Sequence, residues 1–277
     1  MARTTASLLA IGLLATAGRA AGAAPRGQPV SNDATFNYGL SSFLGSGIYT
    51  IGGQSVQLYR IPITVDLTED KGARTRYFAE LPITFGFYGF TPTDVLHGDV
   101  PTSLDTVSVL GGIEARHTID EQWRYLQLVA LGYTVAAGNS DRKLIGSQSA
   151  LERAVPLGQW RTRWRNELLA AVSAGGPQSS DKVIRLLEGI EFDRPQSWTV
   201  FGRQAAIGTY GVLRWYGGGA APFATGGAAG RFEPEAGVTF GTAEPVRVLG
   251  LPLPRLSLGY RRAAALNIFF LGFGTPF

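Results

Sequence analysis

The feature of the sequence that most limits its fold is an alternation of apolar and polar residues with a period of two. From Tyr59 onward in QLYRIPITVDL (57–67), and throughout YFAELPITFGF (77–87), every second residue is apolar. The intervening positions hold charged residues, threonine, proline and glycine. The segments 231–241 and 255–261 repeat the pattern. Strict alternation over this length predicts β-strands with one apolar face, not helices.

The length of these strands and the contents of their two faces predict a membrane protein. Soluble strands usually have about five or six residues, whereas a tilted strand needs roughly nine to eleven to cross a bilayer. Charges and glycines on one face, and apolar residues with aromatics near the strand ends on the other, are typical of a transmembrane barrel. We therefore predict an all-β fold, a transmembrane antiparallel β-barrel. A lipocalin-like soluble barrel, with its apolar face inward, is the alternative.

About twelve strands are predicted, with ten as the alternative. They are placed at 34–42, 45–52, 55–67, 75–90, 104–117, 123–137, 159–173, 183–192, 198–216, 229–241, 255–262 and 267–277. The first pair is weakly patterned and could instead be one strand or a segment packed in the lumen, which would leave ten. Residues 139–158 break the period and are predicted to form a loop that could contain a helical turn. The Gly/Ala-rich residues 217–230 are predicted to form another loop.

The N-terminus has the features of a secretory signal. Arg3 precedes the apolar stretch ASLLAIGLLATAG, which is too short to span a bilayer as a helix, and AGA at 21–23 has the form of a cleavage site. A short N-terminal anchor is the alternative. We predict a signal peptide at 1–23, a short segment at 24–33 and the barrel at 34–277. The chain has no Cys, which excludes a disulfide-stapled fold for an exported protein.

Several classes of function have no support in the sequence. The net charge of +4 is spread along the chain, and RTRWR at 161–165 is the one basic cluster, so we expect no nucleic-acid partner. We find no G-x-S-x-G elbow, phosphate loop, metal-ligand cluster or calcium loop, and expect no catalytic residue, cofactor or metal. The two histidines are His97 and His117. Ser108 would lie roughly 30 Å from His117 along one strand, too far to pair with it.

One segment predicts a concentration of charge inside the barrel. RTRWRNE places three arginines and a glutamate on one strand face, and like charges this close must be compensated. The predicted lumen charge cluster is Arg161, Arg163, Arg165, Glu167, Arg60, Glu80, Glu114 and Glu235, with Asp66 as a further acid. We favour a buried ion-pair network that fills a narrow barrel. The alternative is an anion-selective constriction, since rings of arginine can form one in a pore.

Aromatic residues near the strand ends are predicted to form lipid-facing girdles at the two interfaces. The girdle candidates are Tyr77, Phe90, Trp123, Tyr125, Trp160, Trp198, Trp215 and Tyr216.

The C-terminal segment NIFFLGFGTPF (267–277) also alternates. Phe269, Leu271, Phe273 and Phe277 would share a lipid-facing side, with glycines opposite. A terminal aromatic with apolar residues at every second position resembles the C-terminal assembly signal of Gram-negative outer-membrane barrels. The resemblance implies recognition by the barrel-assembly machinery and a final location in outer-membrane lipid.

A wider resemblance rests on GSGIYTIGGQSVQLYRIPITVDL near the start and on LPLPRLSLGYRR and LNIFFLGFGTPF near the end. These stretches resemble the solitary outer-membrane autotransporter-type β-barrel proteins, which implies a twelve-stranded translocator-like barrel. Only about ten residues separate the predicted signal peptide from the first predicted strand, so passenger translocation is not implied. We expect a non-enzymatic structural or interaction role. The alternatives are a small anion-preferring pore and a lipid-modifying outer-membrane enzyme.

Overall fold

The computed structural model describes residues 34–36, 43, 46–51, 54–90, 105–136, 141–175, 181–217, 223–225, 232–244, 246–248, 251–252, 255–263, 266–273 and 277. The strands are β1 (Ala34–Phe36), β2 (Ser46–Ile51), β3 (Gln54–Ile61), β4 (Thr64–Asp66), β5 (Thr75–Glu80), β6 (Ile83–Phe90), β7 (Thr106–Thr118), β8 (Trp123–Ala136), β9 (Arg142–Leu157), β10 (Trp160–Ala174), β11 (Asp181–Val200), β12 (Arg203–Gly217), β13 (Phe223–Thr225), β14 (Phe232–Thr242), β15 (Arg247–Val248), β16 (Leu251–Pro252), β17 (Leu256–Ala263) and β18 (Leu266–Phe273).

Two strands of the barrel wall are each interrupted at a proline. β3 and β4 are separated at Pro62, and β5 and β6 at Pro82, because proline has no N–H to donate to the ladder. Hydrogen bonds cross the gap: Leu81 N–H donates to the Ile63 carbonyl at 2.7 Å, and Leu110 N–H donates to the Pro82 carbonyl at 3.1 Å. Each pair of segments therefore acts as one strand of the wall.

The wall is a closed antiparallel barrel of twelve strands. Neighbours follow the order β7-β6-β3-β2-β18-β17-β14-β12-β11-β10-β9-β8, and β8 pairs with β7 again. The first and last strands of the barrel meet through β2 and β18, with Phe269 opposite Thr50 and Phe273 opposite Ser46. Closure leaves no strand edge open. The predicted all-β class, barrel architecture and number of twelve strands are confirmed.

Two strand predictions were wrong. One removes a strand from the predicted barrel and the other adds one, so the total of twelve strands is unchanged. Of the predicted strand 34–42, the described residues form β1, which pairs with β13 in a two-stranded sheet separate from the barrel sheet. The predicted loop 139–158 instead contains β9, a full barrel strand. Its outward face mixes Lys143, Ile145 and Ser147, so neither face is uniformly apolar and the period was hidden. The segment 198–216, predicted as one strand but long enough to be two, is divided between β11, which continues to Val200, and β12, which begins at Arg203.

The two faces of the wall have opposite character. Most side chains that point outward are apolar and exposed, such as Leu131 (62%) and Phe269 (59%). Side chains that point into the lumen are buried and often charged, such as Glu233 (1%). Of the neighbouring girdle candidates, Trp215 points outward, but Tyr216 is buried in the lumen, since adjacent residues of a strand lie on opposite faces. The girdle prediction for Tyr216 was therefore wrong.

Among the described residues, no helix combines the length and the apolar character that a membrane span requires.

Candidate functional site: the charged lumen

The arginine stripe on β10 meets acids on β11. Arg161 and Arg163 are the cross-strand partners of Asp193 and Glu191. Arg161 Nη2 lies 2.7 Å from Asp193 Oδ2, and Arg163 Nη2 lies 2.5 Å from Glu191 Oε2. Because both acids are 6% exposed or less, these pairs are shielded from water on the acidic side. The strand register therefore neutralises the first two arginines of the stripe.

The third arginine of the stripe is at the centre of a larger group. Arg165 Nη1 lies 2.6 Å from Glu152 Oε1, and its Nη2 lies 2.7 Å from Glu167 Oε2. Glu167 also accepts hydrogen bonds from Gln148 Nε2 at 2.9 Å and from the Arg185 guanidinium. Buried carboxylates are stable only when their acceptor sites are filled in this way. The group ties β9, β10 and β11 together across the lumen face.

Arg255 joins the acids of β11 to β17, three strands away in the wall. Its Nη1 lies 3.0 Å from Glu191 Oε1, and its Nη2 lies 2.8 Å from Asp193 Oδ1. Arg255 directly precedes β17, so one side chain spans from β17 to β11.

A second group lies on β12, β14 and β17. The Arg214 guanidinium and Arg261 Nε both contact Glu235 Oε2, the latter at 2.7 Å. Arg261 also lies 3.8 Å from Glu233 Oε2. All four residues are 5% exposed or less. The group contains two cations and two carboxylates, so its charges balance within the lumen.

A third group lies on the other wall. Glu80 and Glu114 contact Arg116, with 3.3 Å between Arg116 Nη2 and Glu80 Oε1. Asp66 contacts Arg76 and lies 2.9 Å from Lys71 Nζ. Of the predicted acids, therefore, only Glu167 meets the arginine stripe. Arg60 lies on β3 on the same side of the barrel as this third group.

Two aromatic rings enter the lumen from residues outside the barrel strands. Phe43 packs against Leu110, Ala130, Leu144 and Ala171, which belong to four different strands. A Cβ atom added at Gly146 would lie 2.7 Å from Phe43 Cζ. The glycine is therefore what leaves room for this ring, and the segment before β2 places an apolar side chain inside the barrel. This agrees with one alternative, in which the weak first segment packs in the lumen.

The second ring is that of Phe277, and its place overturns the expectation that it faces lipid. A Cβ atom added at Gly189 would lie 2.6 Å from Phe277 Cδ1. The Arg163 guanidinium carbon lies 5.2 Å from the ring centroid, within the range of a cation–π contact. Gly189 lies between Leu187 and Glu191 on the buried lumen face. Phe269, by contrast, points outward at 59% exposure.

Sequence reasoning missed more than half of the charged residues that make up these groups. The missed residues are Lys71, Arg76, Arg116, Glu152, Arg185, Glu191, Asp193, Arg214, Glu233, Arg255 and Arg261. A usable signal was present in DKVIRLLEGIEFD, where every second residue from Arg185 to Asp193 faces the lumen. Leu187 and Gly189 lie among these charged residues on the same face, so the face did not appear polar in the sequence.

The serine and histidine considered for catalysis do not form a pair. Ser108 is buried, and its hydroxyl lies 2.8 Å from Thr134 Oγ1. His117 is exposed, and its Nδ1 lies 2.8 Å from Thr75 Oγ1 on the neighbouring strand. His97 is outside the described residues. Within the described part of the chain, no group of three or more potential ligands could hold a metal ion.

Comparison with solved structures gives several likenesses, and two of them are autotransporter domains. No family model and no curated protein matches the chain. The β domain of the Bordetella autotransporter BrkA is 17% identical, with a TM-score of 0.44 over 84% of this chain and 96% of that one. The translocator domain of the autotransporter NalP from Neisseria meningitidis is 14% identical, with a TM-score of 0.38 over 83% of this chain and 87% of that one. Likenesses this distant say nothing about function.

Proposed function

We propose that the chain is an integral outer-membrane β-barrel with a structural or interaction role and no enzymatic activity. One observation carries the proposal: the closed barrel is apolar and exposed outside, but charged and buried inside. Val129, Leu131 and Phe269 are each more than half exposed, while Glu233 and Glu235 are 5% exposed or less. In water this arrangement would leave a large apolar surface uncovered, whereas in a bilayer both faces are satisfied.

The ion-pair groups support a lumen whose charges are paired and whose space is filled, and not a pore selective for anions. A selective constriction needs cations whose field is not cancelled by adjacent carboxylates. Arg161, Arg163 and Arg165 each lie within 2.7 Å of a carboxylate oxygen. Phe43 and Phe277 occupy further lumen space. The autotransporter-type resemblance of the sequence agrees with a barrel of this size.

The proposed location of the barrel is outer-membrane lipid. We propose that a signal peptide directs its export and is then cleaved. The barrel-assembly machinery is the proposed partner during insertion. Phe269, Leu271, Phe273 and Phe277 are the proposed recognition signal, which acts before the barrel closes. In this proposal the assembly machinery binds Phe277 while the last strand is still unpaired, and the Phe277 ring enters the lumen after the barrel closes.

The test is to locate the mature protein and then to measure its conductance. We expect it in the outer-membrane fraction, with faster gel migration before boiling than after. In planar bilayers we expect no defined conductance steps. Replacement of Arg161, Arg163 and Arg165 by alanine should leave their partner acids unpaired and should not create a pathway that conducts anions. Mature protein found soluble in the periplasm would overturn the proposal. Anion-selective steps that vanish in the triple variant would establish the pore instead.

A further inference from the structure

The outward face of strands β8 to β11 carries polar side chains where an outer-membrane barrel should be apolar. Five residues form what we call the outer-wall polar cluster. They are Gln127 on β8, Ser147 and Ser149 on β9, Asn166 on β10 and Glu188 on β11. Glu188 is exposed, and its outward neighbours on β11 are the exposed Leu186 and Ile190. The intervening Leu187 and Gly189 are buried in the lumen wall.

The cluster lies near the middle of the wall. On β11 the exposed cations Lys182 and Arg194 are each six residues from Glu188, on opposite sides. Six residues rise about 20 Å along a strand, or about 15 Å along the membrane normal at a tilt of about 40°. This is half of a hydrocarbon layer about 30 Å thick. If Lys182 and Arg194 mark the two interfaces, Glu188 sits at the midplane.

Polar groups at this depth are costly unless they are paired. Part of the cluster satisfies itself: Gln127 Nε2 donates to Ser147 Oγ at 2.9 Å, and Ser149 Oγ donates to Gln127 Oε1 at 2.5 Å. Glu188 accepts one hydrogen bond, from Trp164 Nε1 at 3.3 Å.

The pairing of the cluster is incomplete. A carboxylate has about four acceptor sites, so most of those on Glu188 are unfilled. Within the described part of the chain, the Asn166 amide has no hydrogen-bond partner. One free donor group and one partly free acceptor group therefore lie side by side on the wall.

We infer that this face binds a second copy of the same chain, on the condition that the chain is the membrane barrel proposed above. Asn166 and Glu188 are direct cross-strand partners on β10 and β11, so their Cβ atoms are about 5 Å apart at nearly the same depth. A two-fold axis parallel to the membrane normal and passing between them brings Asn166 of each copy to Glu188 of the other. The free amide then donates to the free carboxylate, twice, with no cation required.

The shape of the wall fits this arrangement. A groove of about 520 Å³ is lined in part by Ser149, Asn166 and Glu188 of the cluster. Tyr125, Trp215 and Phe232 also line it and are 39–54% exposed. Bulky residues and a recess on one face allow that face to interlock with a rotated copy of itself. In lipid, association is driven by close packing of this kind and by hydrogen bonds between the two copies, and not by the hydrophobic effect.

The absence of cysteine from the chain makes a direct test possible. Two differently tagged copies are produced together in membranes, one carrying Asn166→Cys and the other Glu188→Cys. We expect a disulfide-linked heterodimer after mild oxidation. The control is Ile61→Cys in both copies, since Ile61 is 46% exposed on β3 across the barrel and should not cross-link.

A second measurement uses variants that keep the fold. Asn166→Leu/Glu188→Leu removes both symmetry-related contacts and should lower dimer affinity in lipid on the order of 30-fold, with heat-modifiable migration retained. Glu188→Gln keeps an acceptor and should retain the dimer. Membrane-inserted protein that is monomeric, or whose introduced cysteine at position 166 or 188 forms a disulfide with a different protein instead, overturns the inference. Protein absent from the membrane fraction overturns the proposed function itself.

Discussion

The ring of Phe277 lies on the bare backbone of Gly189, inside the lumen and on a strand four places along the wall from β18, the strand that precedes Phe277. A Cβ atom at position 189 would be 2.6 Å from Cδ1 and 2.8 Å from Cγ of this ring. Contacts this short do not occur with a real Cβ, so the last residue of the chain requires glycine at this position. The guanidinium of Arg163 covers the ring at 5.2 Å from its centroid.

Gly189→Val should therefore expel the terminal ring from the lumen. The valine methyl groups would occupy the space of the ring, and the C-terminus would become accessible. We expect carboxypeptidase to remove Phe277 from the folded variant at least several times faster than from the parent. Gly211→Val is the control, because the nearest atom to a Cβ at Gly211 is 4.0 Å away. Equal digestion rates for parent and Gly189→Val would contradict the placement of the ring.

The buried group around Glu235 should be sensitive to loss of a single charge. Glu235→Gln keeps the shape but leaves Arg214 and Arg261 in excess of their acids, and removal of one partner from a buried ion pair costs about 3–5 kcal/mol. The free energy of unfolding, measured by urea titration in phospholipid vesicles, should fall by that amount.

Glu244→Gln is the matched control for the charge prediction. Glu244 also pairs with an arginine, Arg203 at 2.8 Å, but its side chain is 73% exposed. Exposed pairs contribute about 0–1 kcal/mol, so the control should scarcely change the free energy of unfolding. Similar losses in the two variants would show that the Glu235 group is hydrated and not buried.

The alternation in the sequence was enough to predict the architecture, because each strand meets lipid on one face and the lumen on the other. It failed at β9, where Ser147 and Ser149 lie on the outward face and belong to the polar cluster of the outer wall. A strand that carries polar residues outward and Gly146 and Gln148 inward has no apolar face to detect. The missed strand is thus the one whose outward face departs most from lipid-facing composition.

The ion-pair partners could not be predicted, since they depend on the register between strands. Arg163 meets Glu191 because β10 and β11 pair in a register that also places Arg161 opposite Asp193. A shift of two residues would preserve every inward face and exchange the partners. The position of Phe277 was unpredictable for a related reason: its contact residue, Gly189, is remote in sequence and has no side chain to signal a binding surface.

Neither histidine is expected to support lipid chemistry. Among the described residues, the side-chain hydrogen-bond partner of His117 is the Thr75 hydroxyl, and His117 lies exposed near the end of β7. The variant His97→Ala/His117→Ala should leave lipid A and phospholipid profiles of the host membrane unchanged relative to the parent, as measured by mass spectrometry. A modified lipid that appears with the parent and disappears with the variant would instead establish the enzyme.

The glycines opposite each other on β14 and β17 should tolerate no side chain. Gly237 and Gly259 are cross-strand partners on the lumen face. A Cβ at Gly237 would lie 2.6 Å from Tyr210 Cζ, and one at Gly259 would lie 2.5 Å from Phe270 Cε1. Rings packed on strand glycines in this way fill the lumen without widening the barrel.

Gly259→Val should therefore overpack the lumen and lower the free energy of unfolding by about 1–3 kcal/mol. Gly111→Val is the control: it is exposed on β7, a Cβ there would be 3.9 Å from Leu81, and valine suits a strand. We expect the control to stay within about 0.5 kcal/mol of the parent. If Gly259→Val is as stable as Gly111→Val in vesicles, the lumen around Tyr210 and Phe270 has free space. The proposal of a filled lumen with a structural role, and not of a pore, would then lose the support of these two rings.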